Sequence, residues 1–140
     1  MRNFARICAT GLKFIMAGFF IFTGVTHFTN EPFFMKIMPD YIPAEIHRPA
    51  VLVSGACEVL LGILLAVPQT TRGAAWGLIA LLIAVFPANI YAYQHSEELF
   101  HLDPKIHFWR LPLQGVMIAL AYWYTRPQVP AVGYEPPHDI

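Results

Sequence analysis

Apolar runs, each close to the length of a bilayer crossing, follow one another through a chain of only 140 residues, and they limit its fold most severely. A spanning helix needs about 20 largely apolar residues. The sequence offers such runs at about 7–28, 49–67, 73–93 and 108–124. Inside lipid every backbone N–H and C=O must be paired within the structure, so each run is expected as a helix. The fold expected is therefore all-α: an integral membrane four-helix bundle, residues 1–126, with interfacial segments in its two longer loops. Composition agrees. Hydrophobic residues make up 56% and charged residues 13%, about half the ~25% of soluble domains. Such a chain lacks the residues for a polar coat. Zero net charge without a basic tract excludes a dedicated nucleic-acid binder. Eleven Phe, six Tyr and three Trp exclude a disordered chain.

The first run starts basic, at Arg2 and Arg6, as a signal peptide does. It is aromatic-rich, however, and ends in Thr26-His27-Phe28 instead of a small-residue cleavage site. It reads as a retained anchor, with Lys13 snorkelling toward the headgroups. The link 68–72 is short and makes the second and third helices antiparallel neighbours. The connections 29–48 and 95–107 are longer and apolar for loops. In the first, Asn30 as cap and Pro32 in the first turn should start a short interfacial helix that Pro39 ends. The segment 97–107 reads as amphipathic. The tail 127–140, with Pro127, Pro130, Pro136 and Pro137, is expected to be extended.

Basic residues set the orientation. Arg2, Arg6, Lys13, Arg72 and Arg126 fall on the side of both termini, and Lys36, Arg48, Lys105 and Arg110 on the other. Both termini are thus expected in the cytoplasm. The other side carries Glu31, Asp40, Glu45, Glu97, Glu98 and Asp103.

Small residues mark where helices should touch, because close backbone approach drives association in lipid. Gly11 and Gly18, and Gly55 and Gly62, are spaced to share a face; Gly73 with Gly77 and Gly115 with Ala119 are small-xxx-small pairs. Gly18, Gly55, Gly62, Gly73 and Gly77 are expected as packing seams. Pro87 is expected as a kink that leaves the Ile83 carbonyl open.

Glu58 stands out within the spans. A carboxyl there costs ~2.5–3.5 kcal/mol on insertion scales and tends to face protein or water. Ser54, Gly55 and Gly62 share its helix face. Counted from Pro49 it lies about nine residues in, or ~13 Å at 1.5 Å per residue. At similar depth fall His27, on the face of Thr23 and Gly24; Asn89 and Tyr93; and Arg110 with Gln114. Bland alternatives exist for each: Glu58 as a protonated acid that glues helices, the others as interfacial residues. Taken jointly, His27, Glu58, Asn89, Tyr93, Arg110 and Gln114 point to a polar pocket at the outer end of the bundle, with the aromatic segment 33–42 as its lid. His47, His95 and His101 read as solvent-side residues without metal-ligand spacing. Cys8 and Cys57 form no CxxC and are expected unpaired. No nucleophile elbow, phosphate loop or dinucleotide fingerprint is present, so no catalytic residue is assigned.

Several motifs together resemble the DoxX-like family of small membrane proteins: Ala17-Gly18, Gly24-Val25-Thr26-His27-Phe28, Pro32, Phe34, Met38-Pro39, Tyr41 and Pro43. To these are added Ser54-Gly55-Ala56-Cys57-Glu58, Phe86-Pro87-Ala88-Asn89-Ile90 and Arg110-Leu111-Pro112-Leu113-Gln114. The resemblance covers about residues 10–125 and implies a four-helix, multi-pass protein of a bacterial inner membrane. Among such proteins are redox subunits, maturation factors and assembly chaperones, so it implies a supporting role in the membrane rather than a self-sufficient enzyme. The expected function is an accessory or ligand-binding component of a membrane redox system. Its pocket would take a quinone-like ligand, and its partners would be the bilayer and a membrane protein or a second copy. A non-enzymatic assembly partner, and a transporter or channel formed by an oligomer, are the alternatives.

Overall fold

Apolar stretches become long helices in the computed structural model, which describes residues 2–101 and 104–127. The order is α1 (Arg2–Thr29), α2 (Glu31–Lys36), α3 (Ala44–Ala66), α4 (Thr71–Gln94), α5 (Ser96–Phe100), α6 (Pro104–Phe108) and α7 (Arg110–Tyr124). Among the described residues there is no strand. Asp103 and the tail beyond Pro127 lie outside the described residues, as does the side chain of Arg2.

Helices α1, α3 and α4 are long and apolar enough to cross a membrane, over Arg6–Thr29, Ala44–Ala66 and Thr71–Gln94. Their large apolar side chains face outward as often as inward: Ile15, Phe22, Val53, Leu60 and Ile83 are all exposed. Monomeric soluble proteins do not carry apolar surface of that extent in water. The chain is therefore a membrane protein by length, composition and exposed face. The 15-residue α7 is shorter, about 22 Å at 1.5 Å per residue.

Two helix pairs make up the molecule. Helix α1 packs along α3, α4 packs along α7, and α3 meets α4 to join the pairs. At the end near the α3–α4 link the pairs close on a core that includes Met16, Phe20, Leu65, Ala75, Leu78 and Ala121. Tyr124 there donates its hydroxyl to the Ala9 carbonyl at 2.8 Å, tying α7 to α1. The link itself is capped by threonines. Thr70 Oγ1 lies 2.6 Å from the Leu64 carbonyl, and Thr71 Oγ1 is 3.0 Å from that of Leu65. These bonds satisfy carbonyls that the last turn of α3 would otherwise leave open. Lys13 reaches this link, its Nζ 3.4 Å from Thr71 Oγ1.

Glycines set the close approaches, but only some of those expected. A Cβ on Gly55 would stand 2.9 Å from the Gly24 carbonyl oxygen, and one on Gly24 would stand 2.7 Å from that of Gly55. Gly62 sits against Ala17 and Ile21, and Gly77 against Leu61. Gly18 and Gly73 face open space, as do Gly11 and Gly115. The seam on α1 is thus Gly24 and not Gly18: regular spacing showed a shared face, but not the face that meets α3.

The second long helix begins at Ala44, five residues before Pro49, which lies inside it. Residues 44–48 are polar enough to escape a hydropathy reading, yet they continue the same helix. Counted from this true start, Glu58 lies about 21 Å along α3, deeper than the sequence implied. Asn30 does occupy the cap position of α2, with proline in the first turn, but its side chain makes no capping bond. Helix α2 stops at Lys36, before Pro39.

Candidate functional site

At the end away from the link the two helix pairs part, and a cavity of about 840 Å³ opens between them. One wall comes from α1 and α3, the other from α4 and α7, and the segment around α2 covers it. Most of the lining is apolar: Phe19, Phe20, Val51, Leu82, Val85 and Met117 are among its residues. The polar groups are few, and they converge from opposite walls.

On the first wall, Thr23 and His27 of α1 meet Glu58 of α3. His27 and Glu58 are each 8% exposed. Close approach of Gly24 to Gly55 is what brings these side chains within reach. Glu58 Oε2 lies 2.7 Å from Thr23 Oγ1, and Glu58 Oε1 lies 3.9 Å from His27 Nε2. The other imidazole nitrogen, Nδ1, is 2.9 Å from the Thr23 carbonyl oxygen. A carbonyl only accepts, so Nδ1 carries a proton and donates it there. Nε2 is thus the ring nitrogen that faces the carboxyl. The 3.9 Å gap exceeds a direct hydrogen bond. Ser54 Oγ is buried on the same wall without a hydrogen-bond partner.

Across the cavity, Asn89 Nδ2 donates to Gln114 Oε1 at 2.8 Å, joining α4 to α7. Gln114 Nε2 in turn donates to the Leu82 carbonyl. The backbone acceptor used near Pro87 is thus that of Leu82, one residue before the Ile83 carbonyl expected from the sequence. Arg110 starts α7 on this wall, with its guanidinium over the Phe33 ring at 5.7 Å.

The cover is aromatic. Phe34 stacks on His27, ring centroids 3.7 Å apart, and Phe33 packs on Phe34 and Phe100. Arg48 Nε lies 2.6 Å from Glu31 Oε1 and fastens α2 to the first turns of α3.

Of the residues read as a pocket from sequence, His27, Glu58, Asn89, Arg110 and Gln114 all line the cavity. Tyr93 does not. It packs against Phe108, ring centroids 5.9 Å apart, because a helical step of four from Asn89 carries it past the cavity toward α6. His47 and His95 each bond a backbone carbonyl, of Ile42 and Tyr91, and His101 is exposed. Among the described residues no group of His, Cys, Asp or Glu converges to hold a metal. Cys8 and Cys57 are free. Sequence reasoning undervalued Thr23, which it noted only as a neighbour of His27. A threonine one turn before an intramembrane histidine is a signal, since its hydroxyl and carbonyl can serve both that histidine and an acid opposite.

Fold and site together define a helical membrane protein with an apolar cavity closed by aromatic rings and polar on two opposite walls. The chain belongs to the family described as Domain of unknown function (DUF8561), whose model matches residues 16–125. No curated protein and no solved structure matches it.

Proposed function

We propose that the protein is a four-helix, multi-pass protein of a bacterial inner membrane that holds a small amphipathic, quinone-like ligand in this cavity, as an accessory component of a membrane redox system. The observation that carries the reading is an apolar cavity of about 840 Å³ with polar groups confined to two facing walls. That volume is within the ~300–1,000 Å³ usual for small-molecule sites, which likewise combine apolar lining with a few placed polar groups. The His27–Glu58 pair offers an acid and a base to a ligand oxygen, and Asn89 with Gln114 orients the opposite side. Helix α7 serves as the fourth span. Trp109 has helical dihedrals (φ −65, ψ −17) and continues α7 back toward Phe108. This gives about 17 residues, the short end of what a bilayer requires. Both termini would lie on the cytoplasmic side by the distribution of basic residues. Resemblance to the DoxX-like proteins supports the redox-accessory part of the proposal.

Purification in a mild detergent, followed by absorbance and mass spectrometry of the extracted small molecules, tests it. A co-purifying amphipath in stoichiometric amount, reduced by Glu58→Gln, is expected. Protein that carries no small molecule, or a load indifferent to Glu58→Gln, contradicts the reading.

A further inference from the structure

Arg110 is, among the described residues, the only Lys or Arg lining the cavity, and the charge of Glu58 acts on it only across that space, without an ion pair. Glu58, the acid in the same lining, is engaged by Thr23 and turned toward His27. The half-buried guanidinium makes no ion pair and no hydrogen bond among the described residues. Its neighbour is the face of Phe33. Arg48 shows the contrast: at 67% exposure it is nonetheless paired with Glu31. A guanidinium carries five N–H donors in a fork that matches two oxygens of a carboxylate or phosphate. Leaving such a group beside apolar walls without an acceptor is costly.

Below Arg110 the same face of α7 continues through Leu113 and Gln114 to Met117, about 10 Å down the helix, with Leu82 beside it on α4 and Phe19 on the facing wall. The cavity also reaches the outer surface of the bundle. Val53 of α3 and Leu113 of α7 both line it and are 62% and 48% exposed. A molecule dissolved in the bilayer can therefore enter sideways between the helix pairs.

We propose that the occupant is an anionic amphipath: its oxyanion head, a carboxylate or a phosphate ester, sits on the Arg110 guanidinium under Phe33, and its apolar tail runs along Leu113 and Met117. This deepens the ligand-binding reading above and rests on it. A neutral quinone-like molecule would keep the contacts proposed above but leave Arg110 without an acceptor, and the anion adds that contact.

Palmitate, its uncharged methyl ester, phosphatidylglycerol, phosphatidylcholine and decylubiquinone are titrated into the full-length protein in a maltoside detergent, with the bound fraction read by native mass spectrometry. Palmitate or phosphatidylglycerol should bind about tenfold or more tightly than the methyl ester or phosphatidylcholine, respectively, as a charge-assisted fork contact implies. Arg110→Gln should erase that preference and Arg110→Lys should keep part of it. Preference for palmitate identifies a free acid as the source of the head, and preference for phosphatidylglycerol a lipid headgroup. Equal binding of the charged and uncharged partners by the unaltered protein overturns the anion site, whatever the variants do. If decylubiquinone still binds in that case, the broader reading stands; if nothing binds, both fall. A preference that survives Arg110→Gln in a protein with unchanged unfolding temperature also overturns the proposal.

Discussion

Gly24 and Gly55 approach so closely that a methyl group on either must displace backbone or the His27 side chain. Overpacking of this kind costs about 1–3 kcal/mol. Gly55→Ala should therefore lower the unfolding temperature measured by circular dichroism in detergent, and it should loosen the His27–Glu58 contact as well. Gly18→Ala and Gly73→Ala meet open space, and their unfolding temperatures should stay at or above that of the parent. His107 supplies a second residue-scale test. It is buried, and neither ring nitrogen has a hydrogen-bond partner among the described residues. Burial first, and the positive charge of Arg110 second, hold its pKa below the ordinary 6.5. The folded protein thus resists a proton that the unfolded chain accepts, so stability falls as pH drops below about 6.5. Between about pH 7.5 and about pH 5 the parent should lose more thermal stability than His107→Leu; equal losses would show that His107 does not carry the effect.

Between elements, the α4–α7 contact depends on a polar relay in which Asn89 bonds Gln114, which bonds the Leu82 carbonyl. Gln114→Leu strands both partners, and a buried group left unpaired costs about 1–3 kcal/mol. Hydrogen exchange should show lost protection in α7 and the second half of α4, with α1 and α3 little changed. The Arg48–Glu31 pair on the cover is largely exposed on the arginine side, so Arg48→Ala should cost less than about 1 kcal/mol. Much of this level was legible in the sequence. Apolar runs gave α4 within two residues at each end and the end of α1 within one, although α1 begins at Arg2, five residues before its run. The i, i+3 and i, i+4 spacings put Glu58, Asn89 and Gln114 on inward faces. What was not legible had physical causes. The start of α3 was hidden because its first turn is polar and Pro49 looked like a boundary, whereas the helix runs through it. Tyr93 was misplaced because one-dimensional spacing does not show where α4 leaves the cavity and meets α6. The seam at Gly24 required knowing which face of α1 meets α3.

For the molecule as a whole, apolar packing gathers at the end near the α3–α4 link, and the cavity occupies the other end. The chain's few charges are thereby distributed unevenly: zero net charge coexists with an apolar half and a half that holds the buried acid and imidazole and the half-buried guanidinium. The proposed orientation predicts opposite labelling at two exposed positions. Tyr41→Cys, on the cavity side, should react with a membrane-impermeant maleimide in spheroplasts. Gln69→Cys, in the link, should react only after permeabilisation. The reverse pattern would invert the topology.

Native mass spectrometry of the protein released from its own membranes tests the central claim, an occupied cavity between the helix pairs, most directly. The parent should carry one adduct of discrete mass, and Ala88→Phe, which fills space in the lining without altering a polar group, should lose it while keeping its helical content. A bare parent mass, or the same adduct on both proteins, would contradict the account.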